Sequence, residues 1–124
     1  MKLNPDCIRD ILLTVEETPG VQPQTPYPID GEYERLGKYS KDEVLYHINQ
    51  CELSDFFTEV SWFCGGSCVI HDLSPYGHEF LANIRSDTNW SKTKEIALKV
   101  GSFSLDALSK IATSVVSSLI NNHF

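Results

Sequence analysis

Ile8, Ile11, Leu12 and Val15 recur at helical spacing, and their flanks agree with a helix over residues 4–18. Asn4 is a capping residue, Pro5 suits the first helical position, Asp6 favours the positive helix end, and Pro19-Gly20 ends the element. The pattern then dissolves. Prolines at 19, 23, 26 and 28 with glycines at 20, 31 and 37 predict mostly loop over 19–38, with a short extended piece around Tyr33–Leu36. Helical spacing returns over 40–54, where Val44, Ile48 and Cys51, with Leu45 beside them, face a core. Ser40-Lys41-Asp42-Glu43 reads as a capping box ahead of that helix, with Ser40 capping the backbone and Glu43 reaching back.

The period then changes to two. Phe56, Thr58, Val60 and Trp62 alternate with Phe57, Glu59 and Ser61, and Cys68-Val69-Ile70-His71 forms a return strand, so 56–73 reads as a β-hairpin. Cys64-Gly65-Gly66-Ser67 connects the strands, and the Gly pair supplies the positive φ angles of a tight turn. A third helix is predicted over 75–86, capped by Ser74, with Tyr76, Phe80, Leu81 and Ile84 on its buried side. A fourth over 88–100 is capped near Asp87 or Thr88 and stopped by Gly101, with Trp90, Ile96, Ala97 and Val100 apolar. The last helix, 104–121, starts at Ser104. Its Leu105, Leu108, Ala112, Val115 and Leu119 make a seam like that of a coiled coil, widened by Ile111, Val116 and Ile120.

Helix, extended segment, helix, hairpin, helix is the order of a winged-helix domain, so the expected fold is α+β and winged-helix-like, with two additional C-terminal helices. The 57–70 hairpin is then the wing and the 40–54 helix stands where a recognition helix would. One helix of the usual set is missing or reduced to a turn within 30–38, which argues against an ordinary helix-turn-helix. The expected organisation is a winged-helix-like domain over 1–86 and a helical extension over 87–124 that packs on it or serves dimerisation.

The length of 124 residues fits this single-domain plan. A formal net charge of -7 argues against a nonspecific grip on nucleic acid or anionic lipid by the chain as a whole, while leaving room for a local basic face. No run approaches the roughly 18 apolar residues of a membrane span, and no secretory pattern precedes Ile11-Leu12-Leu13, so a cytoplasmic location without membrane contact is expected. Cys7, Cys51, Cys64 and Cys68 then read as reduced thiols.

Several segments carry a resemblance. Leu73-Ser74-Pro75-Tyr76-Gly77-His78-Glu79-Phe80-Leu81, Ile84-Arg85-Ser86-Asp87-Thr88 and Trp90-Ser91-Lys92-Thr93-Lys94-Glu95 look like the signature of a bacterial and phage family, domain of unknown function 2513. Met1-Lys2, Ile8–Leu13 and Tyr46-His47-Ile48 are similar too, so the matching parts cover about half the chain. The resemblance implies a phage or prophage origin and a winged-helix-like fold, and no activity. Where such proteins read Ala-Gly-Leu-Ile after the second helix, this chain has Ser54-Asp55-Phe56-Phe57, so Asp55 stands where Gly would take a left-handed conformation.

These features suggest a noncatalytic binding protein. DNA is the first partner to consider, through Lys41, Tyr46, His47, Asn49 and Gln50 on the outer side of the 40–54 helix. Against it, Asp42, Glu43 and Glu52 leave that helix acidic, and the hairpin has no Lys or Arg. The basic residues Arg85, Lys92, Lys94 and Lys99 read as a solvated helix face. The alternative is an acidic adaptor that docks on a host protein, with homodimerisation through the 104–121 helix.

Cys64 and Cys68, with His71 and the more distant His47, Cys51 and His78, match zinc spacing only loosely. No metal or other cofactor is expected. Cys68 and His71 point to opposite faces of one strand, and His78 and Glu79 diverge on a helix, so no catalytic residues are assigned. His78 is expected to bond a backbone carbonyl of the wing, with Gly77 permitting close helix approach. Trp90 is expected to pack under the 75–86 helix.

Overall fold

The computed structural model describes residues 1–123 and is α+β, with five helices and a three-stranded antiparallel sheet among them. The chain divides into two compact units, residues 1–78 and 79–124.

The first unit opens with α1, Pro5–Glu16, whose start is capped by Asn4: its side-chain oxygen accepts the Asp6 N–H at 3.0 Å. Cys7, Ile8, Ile11, Leu12 and Val15 are buried, as the helical spacing predicts. So are Asp10 and Thr14 on the other side, because the following loop lies over that side. Asp10 holds the loop there by accepting the Tyr39 hydroxyl at 2.7 Å and pairing with the Lys38 ammonium at 3.1 Å. The Arg35–Glu17 pair at 2.7 Å is exposed and adds little.

Within this loop the extended segment is β1, Thr25–Tyr27, not the stretch around Tyr33–Leu36. That stretch is a turn closed by Leu36 N–H and Gly37 N–H on the Tyr33 carbonyl. The correction has a simple cause. Pro26 lacks an N–H but lies in an edge strand, where a proline is tolerated. Only Leu36 of the Tyr33–Leu36 group needs burial, and a turn achieves that as well as a strand.

Next, α2 spans Lys41–Leu53, with Ser40 Oγ accepting the Glu43 N–H at 3.1 Å. Val44, Ile48 and Cys51 are fully buried. The helix ends in a Schellman turn: Phe56 N–H reaches the Cys51 carbonyl and Asp55 N–H the Glu52 carbonyl. Asp55 takes φ 61, the left-handed conformation that the sequence comparison gave to a glycine.

The hairpin is β2, Val60–Phe63, and β3, Ser67–Ile70, turning through Gly65 and Gly66 at φ 91 and 80. The sheet order is β1-β3-β2, with Val60 opposite Ile70, Trp62 opposite Cys68 and Phe63 opposite Ser67. The paired strand starts only at Val60, which is buried, and both residues at its end, Trp62 and Phe63, are exposed. Phe56 and Phe57 are both buried because they precede the strand, joined to the return segment by the Phe57–Leu73 bridge.

Ser74 then fastens the next helix, α3 (Pro75–Ile84), to the end of α2. Its N–H donates to the Phe56 carbonyl at 2.9 Å, and its hydroxyl donates to the Asp55 carbonyl and accepts the Gly77 N–H. Gly77 fits because it has no side chain: a Cβ there would fall 2.1 Å from the Phe56 oxygen. Tyr76, expected on the buried side, is 40% exposed and stacks on the Phe56 ring, with centroids 5.2 Å apart. His78 does not reach a wing carbonyl. It is exposed, with Nε2 3.8 Å from Asp72 Oδ1.

In the second unit the rest of α3 buries Phe80, Leu81 and Ile84. The next helix, α4, spans Asp87–Val100, capped by Ser86 and stopped by Gly101 at φ 83. It packs along α5, Leu105–His123, whose first turn is capped by the Ser104 hydroxyl. Trp90 and Ala97 are buried with Leu105, Leu108, Ala112 and Val115, whereas Val100 is exposed. Lys94 lies over the Trp90 ring, while Lys92 is exposed and Lys99 pairs with Glu95, as a solvated face requires.

Two substitutions test the joint between α2 and α3. Replacing an internal helical glycine with alanine ordinarily stabilises by about 1 kcal/mol. Gly77→Ala should instead destabilise by about 2–3 kcal/mol in urea unfolding, because the new methyl has only a carbonyl to meet. Asp55→Gly should stabilise by roughly 0.5–1 kcal/mol by relieving the left-handed conformation.

Candidate partner-binding face

The outer side of α2 and the wing form one surface. Trp62 lies on the same face of the hairpin as Val60, but beyond the core, and its indole N–H donates to Glu52 Oε1 at 2.9 Å. The Lys41 side chain reaches the wing tip: a Cβ on Gly66 would lie 3.7 Å from its ammonium. Between these contacts Leu45, Tyr46, Asn49, Glu52 and Trp62 line a shallow depression of about 480 Å³. Trp62 and Phe63 are 42% and 56% exposed on opposite faces of the wing, and Leu53 is 70% exposed at the end of α2.

The five candidate contact residues do not converge. At about 100° per residue, Lys41, Asn49, Tyr46 and Gln50 fan over roughly half the helix circumference. Lys41 and Asn49 are exposed, and Tyr46 and Gln50 are half-buried. His47 is not a contact residue, because it is completely buried. Its Nε2 accepts the Asn4 N–H at 2.7 Å, which requires the ring proton on Nδ1, and that proton is donated to the Glu43 carbonyl at 2.7 Å. The neutral ring thus joins α1 to α2. Its position was readable: His47 falls three residues after Val44 and four before Cys51, inside the buried stripe. Trp62, Phe63 and Leu53 were not singled out from the sequence, where the alternating pattern was used only to place the hairpin. Two adjacent aromatics beside a Gly-Gly turn were the available signal.

The segment that supplies this surface is acidic in sequence. Between Asp42 and Ile84 the chain has seven carboxylates and no Lys or Arg. Lys41 at its margin is a lone lysine ahead of that stretch.

The thiols do not supply a nucleophile pair. Burial, helped by Glu43 and Asp10, pushes Cys7 up to about 12. Burial, helped by Glu52, pushes Cys68 up to about 11, and complete burial also raises Cys51. Cys68 faces inward, whereas His71 is half-exposed beside Ser61 Oγ at 3.2 Å. Among the described residues no three His, Cys, Asp or Glu side chains group as metal ligands. No helix among them is long and apolar enough to cross a membrane.

Cys64 is the exposed cysteine, so at pH 8 a disulfide reagent should titrate one thiol rapidly in the native protein and four after unfolding. The raised thiols also set an alkaline limit. The unfolded chain releases their protons above the ordinary value of 9.0, while the folded chain keeps them toward about 12. Their contribution to stability is therefore complete below pH 9 and is lost as pH rises through that window. Chemical denaturation at pH 8 and pH 10.5 should show the fall, and Cys51→Ala should lessen it.

Three comparisons bear on kinship. A family model described as "Hypothetical protein (DUF2513)" matches residues 2–104. An uncharacterised protein of Haemophilus influenzae is 28% identical over 124 residues, covering 97% of this chain and 99% of the relative. No solved structure matches significantly. Since the match takes in α1, the sheet, α2, α3 and α4, the chain belongs to the DUF2513 family.

Proposed function

We propose that this protein is a noncatalytic adaptor whose α2–wing face binds a protein segment combining basic and apolar side chains. The observation that carries this reading is exposed Trp62 beside α2, whose Asp42, Glu43 and Glu52 outnumber its single Lys41, with exposed Phe63 on the other face of the same hairpin tip. Exposed aromatics beside one sign of charge suit a partner with an apolar anchor and opposite charge. A phosphate backbone needs several cations, and from Lys41 to Leu73 the chain supplies Lys41 alone. The resemblance to bacterial and phage proteins makes a prophage setting and a host partner part of the proposal.

A second reading, a winged-helix DNA-binding regulator in the cytoplasm, is favoured by the order α1-β1-α2-β2-β3 and by Lys41 beside the wing tip. Fold alone is a weak warrant for it.

Selection of displayed random peptides on the intact protein tests the first reading. Enriched peptides should carry Lys or Arg flanking aliphatic or aromatic residues, and should lose at least about tenfold in affinity to the Trp62→Ser/Phe63→Ser variant. Enrichment of acidic peptides, or equal binding to that variant, would overturn it.

Self-association through α5 is a further part of the proposal. Leu119 and Ile120 continue the seam but are 43% and 51% exposed, and the helix has no Lys, Arg, Asp or Glu from Ile111 to Asn122. Two chains of net charge -7 can meet there without bringing like charges together. Light scattering should give twice the chain mass, reduced to the chain mass by Leu119→Lys/Ile120→Lys.

A further inference from the structure

A small cavity of about 180 Å³ opens in the first unit beside β1, away from Trp62 and Phe63, and its lining includes Tyr27, Tyr33, Tyr39 and Glu32. Its volume is below the roughly 300 Å³ of sites that enclose a drug-sized ligand, so it suits a single headgroup. The three tyrosines are half-buried. Two of their hydroxyls are used elsewhere: Tyr33 donates to the Pro26 carbonyl at 2.6 Å and Tyr39 to Asp10 Oδ2 at 2.7 Å. These bonds fix the Tyr33 and Tyr39 rings beside the cavity. Burial raises the pKa of all three phenols, which therefore stay neutral.

Negative charge comes from Glu32. Its carboxylate folds over Gly37, where a Cβ would lie 2.5 Å from Oε2, and Asp30 and Glu34 flank it in sequence. Lys41 also borders the cavity, but its ammonium lies toward Gly66 at the wing tip. Lys38, 5.4 Å from the Tyr39 centroid, lines a separate cleft with Asp6 and Asp10.

We infer that this pocket binds the trimethylammonium group of a small free compound such as choline, on the faces of Tyr27, Tyr33 and Tyr39 beside Glu32. Aromatic rings with one carboxylate favour a cation. Three aromatic rings against one carboxylate favour methyl groups over N–H, since methyl groups need no hydrogen bonds. The inference is independent of the α2–wing reading, because neither Trp62 nor Phe63 borders this cavity.

The test is a titration followed by amide NMR shifts of Gly31 and Gly37, with choline and its neutral isostere 3,3-dimethylbutan-1-ol. Choline should give saturable shifts at millimolar concentration, and the isostere should bind at least about fivefold more weakly. Glu32→Gln should weaken choline binding about threefold or more without changing the isostere, and Lys41→Met should tighten it. Tyr27→Leu and Tyr33→Leu should each weaken it about fivefold, with dispersed spectra certifying the fold. Phosphatidylcholine vesicles should not carry the protein in flotation. Absence of saturable choline shifts, equal affinity for the isostere, or flotation with the vesicles would overturn the inference.

Discussion

The Phe56 carbonyl, clasped by Ser74 and covered by Gly77, is the contact on which the wing depends. Asp55 closes α2 and turns the chain, and Ser74 returns to the same residues after the hairpin is complete. Both ends of the hairpin are therefore tied to one turn, and the Phe57–Leu73 bridge closes the loop above it. With its base held, the hairpin cannot swing away from α2. That constraint places the Trp62 indole on Glu52 and the Gly66 turn beside Lys41, so two elements present one surface.

Much of this was legible because local chemistry and tertiary packing agree. The caps at Asn4, Ser40 and Ser104 and the stop at Gly101 each act where sequence reasoning put them. Gly65 and Gly66 turn the hairpin, and Asp55 adopts the conformation expected of the glycine it replaces. The misses occur where one residue answers to two demands. Pro26 argued against a strand until the edge position removed its cost. Tyr33–Leu36 was expected to be extended, yet only one side chain there needed covering and a turn covers it. Tyr76 matched a buried stripe but lies at a helix start, where it stacks on Phe56 from the solvent side.

The candidate site was less legible for a related reason. Polar residues on α2 were taken as outward, but His47 has two hydrogen-bonding nitrogens and two partners within reach, so burial costs it little. The alternation in the hairpin left the exposure of its aromatics open, and the sheet extends past the core and carries Trp62 and Phe63 into solvent. Together these replace the polar helix face with a surface in which a buried histidine lies beneath and exposed aromatics lie at the hairpin. On α2 beside it, Asp42, Glu43 and Glu52 stand against Lys41 alone, so this helix shares the acidity of the whole chain and should repel a phosphate backbone.

Duplex-DNA binding by the intact protein, measured by anisotropy at roughly 20 mM and 150 mM salt, addresses that claim most directly. The account predicts no saturable complex at either concentration. A complex that forms at low salt, weakens steeply with added salt and disappears in Lys41→Glu would contradict it.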